Sequence, residues 1–189
     1  VIKPQYDSAS IFSDGLALIA KEEKCGFINT EGIEVIPCRY DNASDFSEGL
    51  AAVNKDGKWG FINKKGKEVI ACQYNYVFNF SDGLARVIKD GKYGLINMEG
   101  TAIVNCRYDQ LYKFSNGLAP AKNDGKWGFI NTDGTEVINC QYDNITFFSN
   151  GMAPVSKNDN WGVINTEGTE VVKCLYDDTS DLSDGLIMV

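Results

Sequence analysis

Histidine is absent from this chain of 189 residues. Histidine is the commonest general base at neutral pH and a frequent metal ligand, so its absence excludes serine–histidine catalysis, cysteine–histidine catalysis and histidine-based zinc sites within the chain. The sequence also has no pair of carboxylates at a catalytic spacing and no phosphate-binding loop motif. It therefore predicts no catalytic residue, no metal site and no cofactor, and it indicates a protein that is not an enzyme.

Long apolar runs and positive charge are also scarce. No run approaches the roughly 20 apolar residues that a membrane helix needs. Lysine and arginine number 18 against 26 aspartates and glutamates, which gives a formal net charge of −8. An acidic chain with interspersed signs does not provide a surface that follows nucleic-acid phosphates. We therefore expect neither membrane insertion nor nucleic-acid binding.

What the chain does contain is a repeat of 34 residues. Glycine, cysteine and tyrosine recur at fixed places in successive copies, and the copies cover residues 1–189 without an insertion at the marker positions. The chain begins and ends within a copy, so we expect one repeat array that is a fragment of a longer chain. The markers are Gly26, Gly60, Gly94, Gly128 and Gly162; Cys38, Cys72, Cys106, Cys140 and Cys174; and Tyr40, Tyr74, Tyr108, Tyr142 and Tyr176.

Each copy contains three short segments that are rich in β-branched and aromatic residues. In the second copy they are LAAV (50–53), WGFIN (59–63) and EVIACQY (68–74), separated by glycine-containing turns. This pattern predicts a three-stranded antiparallel meander. Pro120 and Pro154 occupy the first of the three strands, and because proline has no N–H, that strand is expected at the edge of its sheet.

A single meander cannot bury its apolar face alone, so neighbouring copies must stack. The predicted fold class is therefore all-β, with tandem three-stranded meanders stacked on one another and Phe46 and its equivalents filling the junctions. An open β-superhelix and a closed ring of five or six blades, similar to a propeller, both fit. Joining the two chain ends leaves the middle strand missing from the composite copy, which favours the open superhelix.

Three segments recur in copy after copy. In one stretch they are Lys58–Ile62 (KWGFI), the turn Asn63–Gly66 followed by Tyr74, and Phe80–Ala85 (FSDGLA). These segments resemble the WG-repeat, or KWG-repeat, family of bacterial β-rich proteins. The resemblance implies a β-superhelical interaction module without catalytic chemistry, often attached to other domains of surface, secreted or toxin-like proteins. It also implies an extracellular or cell-surface location, and it implies no family-wide ligand.

Six cysteines raise the question of disulfides. Equivalent cysteines in neighbouring copies are expected at least about 10 Å apart, the spacing of stacked sheets, and a disulfide needs Cα atoms within about 7 Å. These cysteines are therefore interpreted as small buried apolar residues. Cys25 stands where later copies have tryptophan or tyrosine. If Glu31-Gly32 is a two-residue turn, Cys25 faces Cys38 and a disulfide between them is possible; otherwise Cys25 is a smaller packing residue.

Two sets of aromatic residues are candidates for binding. The first set lies in the most variable stretch of the repeat and is expected to contact a partner, although such residues also suit repacking of the junctions. It comprises Tyr76, Phe78, Tyr112, Lys113 and Phe147. The second set precedes the marker glycine and forms either a sugar-stacking surface or a stack in the core. It comprises Trp59, Tyr93, Trp127 and Trp161.

The leading functional hypothesis is a non-catalytic array that presents a curved surface to a protein partner. One alternative is a cell-wall or carbohydrate-binding array that uses the repeated aromatic residues. Another is a structural subunit whose ends dock head to tail into a fibre.

Overall fold

In a computed structural model of the protein, which describes residues 5–177, every regular element is a β-strand. Twenty strands form five antiparallel sheets of four strands, numbered sheet 1 to sheet 5 in chain order. Within the described residues, no helix is long and apolar enough to cross a membrane. The all-β prediction is confirmed, and the choice between an open superhelix and a closed ring stays a prediction.

Each sheet follows the order of the chain. Sheet 1 contains β1 (Ser8–Ala9), β2 (Leu16–Lys21), β3 (Lys24–Asn29) and β4 (Glu34–Tyr40). Sheet 2 contains β5 (Asn42–Ala43), β6 (Leu50–Lys55), β7 (Lys58–Asn63) and β8 (Glu68–Tyr74). Sheet 3 contains β9 (Tyr76–Val77), β10 (Leu84–Lys89), β11 (Lys92–Asn97) and β12 (Ala102–Tyr108). Sheet 4 contains β13 (Gln110–Leu111), β14 (Leu118–Asn123), β15 (Lys126–Asn131) and β16 (Glu136–Tyr142). Sheet 5 contains β17 (Asn144–Ile145), β18 (Met152–Lys157), β19 (Asn160–Asn165) and β20 (Glu170–Tyr176).

The prediction of three strands per copy is wrong by one short strand. The three longer strands were predicted correctly, but a two-residue strand pairs with the first of them; β13, for example, pairs with Ala121 and Lys122 of β14. The prediction that β14 and its equivalents are edge strands is therefore also wrong. Proline is tolerated there because Pro120 uses only its carbonyl, which accepts a hydrogen bond from the Tyr112 N–H at 2.9 Å.

In sheets 1 and 2, which have no proline at this position, the backbone N–H has a hydrogen-bond acceptor. In sheet 2, the equivalent N–H of Ala52 donates to the Ser44 hydroxyl at 3.1 Å. In sheet 1, the N–H of Leu18 donates in the same way to Ser10. Since a buried N–H needs a partner, a serine supplies an acceptor in sheets 1 and 2, and proline removes the donor in sheets 4 and 5.

The turn between the first two long strands is the predicted two-residue hairpin. Asp56 and Gly57 have φ of 53° and 76°, the pattern of a type I′ turn, and Lys55 lies opposite Lys58. The carboxylate of Asp41 accepts a hydrogen bond from the Asp56 N–H at 2.7 Å. The aspartate that follows the marker tyrosine of sheet 1 thus fixes the hairpin turn of sheet 2.

The turn between the last two long strands is longer than predicted. Asn29 accepts a hydrogen bond from the Gly32 N–H and donates its own N–H to the Ile33 carbonyl, so three residues and not two form the loop. The Asn29 side chain also accepts hydrogen bonds from the N–H groups of Glu31 and Ile33. This Asx arrangement explains why asparagine recurs at this place.

Beyond that turn, the third long strand bulges across the marker glycine. In sheet 2, Ile62 pairs with Glu68, Phe61 with Ile70 and Trp59 with Tyr74, so the register shifts twice. A Cβ atom on Gly60 would lie 2.4 Å from the Ile70 carbonyl oxygen and 2.7 Å from the Cys72 nitrogen. Only glycine fits under this crossing, which gives the Trp-Gly pair its physical reason.

The same bulge makes the predicted register of Cys25 wrong. Cys25 lies opposite Tyr40 and not opposite Cys38. The two thiols also lie on opposite faces of sheet 1: Cys25 packs in the cluster with Phe27 and Tyr40, whereas Cys38 packs against Ala17 and its neighbours. Both thiols are free. Cys25 is thus a small packing residue in the place that later copies give to an aromatic ring.

The core lies between neighbouring sheets. The chain forms two compact units, Val1–Cys106 and Arg107–Val189. In the first unit, alternate residues of sheet 2 face opposite ways: Val53 and Ile62 pack toward sheet 1, and Leu50 and Phe61 pack toward sheet 3. Sheet 2 therefore buries both faces, as stacking predicts.

Phenylalanines fill these junctions, as predicted. Phe46 and Phe80 are 2% and 3% exposed. Phe46 lies with its ring centroid 4.8 Å from Phe27 of the preceding sheet, and Phe80 lies 4.7 Å from Phe61. In the second unit, Phe148 contacts Phe129 at 4.6 Å. Such aromatic pairs contribute about 0.5–1.5 kcal/mol beyond the area they bury.

Candidate functional site

Four aromatic side chains of the first unit form a continuous row. The ring of Trp59 lies 5.8 Å from Tyr76, Tyr76 lies 5.2 Å from Phe78, and Phe78 lies 6.4 Å from Tyr93, all measured between ring centroids. Tyr76 is 47% exposed, whereas the other three rings are half-buried. These four residues are called the aromatic row below.

The two-residue strand β9 positions the exposed part of the aromatic row, Tyr76 and the adjacent Phe78. Val77 is 4% exposed and belongs to the junction core, so its neighbours Tyr76 and Phe78 must point to the other face of the sheet. Across the sheet, Tyr76 and Tyr93 both pair with Ile88, one from each side. The variable stretch and the strand of the marker glycine therefore meet on one face.

Arg86 adds a positive charge to the row. Its guanidinium carbon lies 3.9 Å from the centroid of the Phe78 ring, which is within the range of a cation–π interaction. Burial lowers the pKa of the Arg86 guanidinium, and the nearby Tyr93 opposes this shift. Arginine remains charged under all ordinary conditions, so the row combines apolar rings with a fixed cation.

A second aromatic surface lies in the second unit. The rings of Tyr112 and Trp127 stack at 5.5 Å with 18° between their planes, and Phe147 meets Tyr112 edge to face at 5.7 Å and 73°. Tyr112 and Phe147 are 43% and 50% exposed, whereas Trp127 is only 9% exposed. Together with Pro120, Asn144, Ile145 and Thr146, these rings enclose a cleft of about 200 Å³, called the aromatic cleft below.

One lysine lies beside the aromatic cleft, and another follows Tyr112 in the chain. The Lys122 ammonium lies 5.4 Å from the centroid of the Trp127 ring. Lys113 follows Tyr112 in the chain and is exposed. Neither lysine forms an ion pair with any residue in the range 5–177. Lys122 therefore places a positive charge beside Trp127, although the chain as a whole is acidic.

The repeat is now defined by its geometry: a marker glycine under a crossing strand, an asparagine turn, and a phenylalanine in the junctions within each unit. The family described as "WG containing repeat" matches residues 1–25, 26–59, 59–93, 93–127, 127–161 and 161–189. The chain belongs to the WG-repeat family. A comparison with curated proteins finds no match to this WG-repeat chain.

Solved structures with similar folds have low sequence identity to the WG-repeat chain. Hsv2 from Kluyveromyces lactis is 12% identical with a TM-score of 0.47, and the match covers 87% of this chain and 61% of that chain. A eukaryotic initiation factor is 12% identical with a TM-score of 0.50, covering 89% and 55%. PorZ, a surface component of the type-IX secretion system of Porphyromonas gingivalis, is 8% identical with a TM-score of 0.43, covering 93% and 29%. The chain thus spans less than two thirds of the length of each.

The two predicted sets of aromatic residues are parts of the same surfaces. Tyr76 and Phe78 of the partner-contact set touch Trp59 and Tyr93 of the sugar-stacking set. In the second unit, the ring of Tyr112 stacks on Trp127. Other candidates lie apart from these contacts: Lys113 is exposed after β13, and Trp161 is half-buried in β19, within the described part of sheet 5.

Sequence reasoning missed the residues that complete each surface. Arg86 and Pro120 occupy the same place in β10 and β14, where β2 and β6 carry Leu18 and Ala52. The available signal for both residues was a cation or a proline at a position that carries leucine or alanine in β2 and β6. Lys122 had no such signal, because its contact with Trp127 depends on the cross-strand register.

Proposed function

We propose that this WG-repeat chain is a non-catalytic binding module that contacts a protein partner through the aromatic row and the aromatic cleft. The observation that carries the proposal is the exposure of Tyr76, Tyr112 and Phe147, at 47%, 43% and 50%. Aromatic residues are enriched in the energetically dominant part of protein interfaces. Here they stand at the positions that vary between copies, on a scaffold that the repeated residues hold constant.

A protein partner fits these surfaces better than a glycan that stacks on the tryptophans. A sugar ring needs an open aromatic face, and Trp127 is 9% exposed beneath Tyr112. Trp59 is half-buried and packs against the junction core of its unit. The exposed rings are instead joined edge to face, which leaves an angular apolar surface that suits side chains of a partner.

A library of random peptides displayed on phage tests the proposal. The wild-type chain is expected to enrich peptides whose binding is lost in the variants Tyr76→Ser or Phe147→Ser. Both side chains are about half exposed, so their removal leaves the junction cores intact. Val137→Ser is the matched control, because Val137 is 40% exposed and does not line the cleft.

The outcomes separate the alternatives. Enriched peptides that bind wild type and both aromatic variants equally would contradict the proposal. Sedimentation of the chain with insoluble chitin, cellulose or peptidoglycan, together with quenching of tryptophan fluorescence, would support the carbohydrate alternative. Circular dichroism of each variant confirms that a lost interaction does not reflect unfolding.

A further inference from the structure

We infer that Asn116 and Asn150 are sites of spontaneous deamidation, and that a carboxylate formed at position 116 joins a turn of sheet 4 to the equivalent turn of sheet 5. The reaction is intramolecular, because the backbone nitrogen of the glycine that follows each asparagine displaces the side-chain amide as ammonia. Four observations support it: the geometry of the turn, its sequence, its free hydrogen-bonding groups and the role of its counterpart in the first unit.

The reactive pair lies in the turn before the first long strand of each sheet, called the entry turn below. In sheet 4, Ser115 and Leu118 exchange backbone hydrogen bonds at 2.9 and 3.1 Å around Asn116 and Gly117. Asn116 and Gly117 have φ of 50° and 79°, so both residues of this two-residue turn are left-handed. Both are also exposed. The pair therefore projects into solvent, where water reaches any intermediate of the reaction.

The sequence of the entry turn differs between the two units. The residue before its glycine is acidic in sheets 1 to 3 and asparagine in sheets 4 and 5. Glycine has no Cβ atom, so its nitrogen approaches a neighbouring carbonyl carbon without steric hindrance. Every other asparagine in the chain precedes a residue that has a Cβ atom. The acidic residues are Asp14, Glu48 and Asp82, and the two Asn-Gly pairs are 116–117 and 150–151.

The groups that must react have no competing hydrogen bonds. Within residues 5–177, nothing accepts a hydrogen bond from the N–H of Gly117 or Gly151, and the side chains of Asn116 and Asn150 form none. The asparagine turn of sheet 4 is different, because the Asn131 side chain accepts two backbone hydrogen bonds at 3.1 and 2.9 Å. A side chain held in that way loses both bonds if it moves toward the next backbone nitrogen, whereas the entry-turn asparagines lose none.

The reaction needs only the chain and water. The nitrogen of Gly117 attacks Cγ of Asn116, so that the N–Cγ bond forms and the Cγ–Nδ2 bond breaks. Ammonia leaves with the proton that the glycine nitrogen loses, and the product is a succinimide ring. Water then opens the ring at one of its two carbonyl carbons. Cleavage of the new N–Cγ bond yields aspartate, whereas cleavage of the original peptide bond yields isoaspartate, and neither route involves oxidation or reduction.

The first unit shows what a carboxylate does in the entry turn. The Asp14 carboxylate accepts a hydrogen bond at 2.8 Å from the N–H of Gly49, which lies in the next entry turn. The acidic residue of sheet 2 accepts two such bonds from the entry turn of sheet 3. Among the described residues, the neutral Asn116 side chain forms no such bond with Gly151. Because a carboxylate is the stronger acceptor, deamidation to aspartate supplies this bond between sheets 4 and 5.

Peptide mapping of the native chain by mass spectrometry, after incubation at mildly alkaline pH, tests the reaction. Asn116 and Asn150 should lose their amides several-fold faster than Asn158, and the products should include isoaspartate, which isoaspartyl methyltransferase labels. Asn158 is the matched control, because it is exposed and left-handed, with φ of 51°, in a two-residue hairpin turn. It differs in preceding Asp159 and not a glycine.

Two variants separate the reaction from its consequence. Gly117→Ala should slow the loss of the Asn116 amide and leave the loss at Asn150 unchanged. A Cβ atom on Gly117 meets nothing within 4 Å, and circular dichroism confirms that this variant is folded. Asn116→Asp should slow hydrogen exchange of the Gly151 amide, because the carboxylate accepts a bond from it. Asn158→Asp, which adds the same charge elsewhere in the second unit, should leave that exchange unchanged.

The assignment of the sites is overturned if Asn116 and Asn150 lose their amides no faster than Asn158. It is also overturned if aspartate forms without isoaspartate, since that result indicates direct hydrolysis and not a succinimide. Unchanged exchange of the Gly151 amide in Asn116→Asp would overturn the bond between the two entry turns. None of these measurements involves a binding partner, so they stand or fall separately from the proposed function.

Discussion

The close crossing over the marker glycine makes Gly60→Ala the most informative single substitution. The added Cβ atom would lie 2.4 Å from the Ile70 carbonyl oxygen and 2.7 Å from the Cys72 nitrogen. These are backbone atoms that cannot rotate away, so the bulge of β8 must move. Overpacking of this kind typically costs 1–3 kcal/mol, and because the obstacle is backbone, we expect a loss near the upper end, about 3 kcal/mol in the free energy of unfolding.

Gly57→Ala is the matched control. Gly57 has φ of 76°, and a Cβ atom there meets nothing within 4 Å. This variant should lose only the cost of a left-handed conformation, about 1 kcal/mol. Urea unfolding followed by circular dichroism compares the two variants, and hydrogen exchange shows whether the loss in Gly60→Ala is concentrated in β8. If Gly60→Ala is no less stable than Gly57→Ala, the crossing does not explain the Trp-Gly pair.

Three further predictions concern titratable groups. Burial raises the pKa of Tyr108 to about 12 from an ordinary value of 10.0, while Arg107 lowers this pKa and Glu136 raises it further. The stability that this group contributes should therefore be complete below its ordinary pKa and be lost as the pH rises toward about 12, and Tyr108→Phe should remove that loss in unfolding measured across alkaline pH. A lysine and a backbone N–H hold the pKa of Asp41 below its ordinary value of 3.8. Its contribution should be present above that value and be lost as the pH falls below it, so unfolding of Asp41→Asn should depend less on acidic pH; an unchanged profile would contradict the assignment. Burial raises the pKa of every cysteine, and that of Cys140 to about 11. Alkylation of the native protein at neutral pH should therefore be slow, and mass spectrometry after denaturation without reductant should show all 6 cysteines modified; modification of only four would restore the disulfide hypothesis.

The sequence predicted those parts of the fold that depend on local patterns. The spacing of the repeat and the composition of Glu68–Tyr74 gave that strand its correct bounds, and the Asp56-Gly57 pair gave the correct hairpin. The two-residue strands were missed because two residues show no alternation. The register of Cys25 was wrong because it was counted from a two-residue turn, whereas Asn29 closes a three-residue loop and the third long strand bulges over Gly26.

For the candidate site, the sequence predicted the residues but not their association. Tyr76 and Tyr112 were candidates because their positions vary between copies. Trp59 and Trp127 were candidates because an aromatic ring recurs at their position. The contact of Tyr76 with Trp59 joins two neighbouring sheets. The stacking of Tyr112 on Trp127 depends on the order of strands across their own sheet, and this order includes the short strand that sequence patterns did not reveal. Arg86 joins the row for the same reason.

The glycine of each asparagine turn has a consequence for how such a chain can lengthen. A Cβ atom on Gly66 would lie 3.2 Å from Ile36 of the preceding sheet, and Gly100 and Gly168 stand in the same relation to Ile70 and Ile138. The copy of sheet 2 thus carries both a turn that fits onto the copy before it and an isoleucine, Ile70, that receives the turn of the copy after it. A duplicated segment of one repeat length brings both matching surfaces with it. Unequal recombination between repeats can therefore add or remove whole copies without requiring a compensating substitution at either new junction.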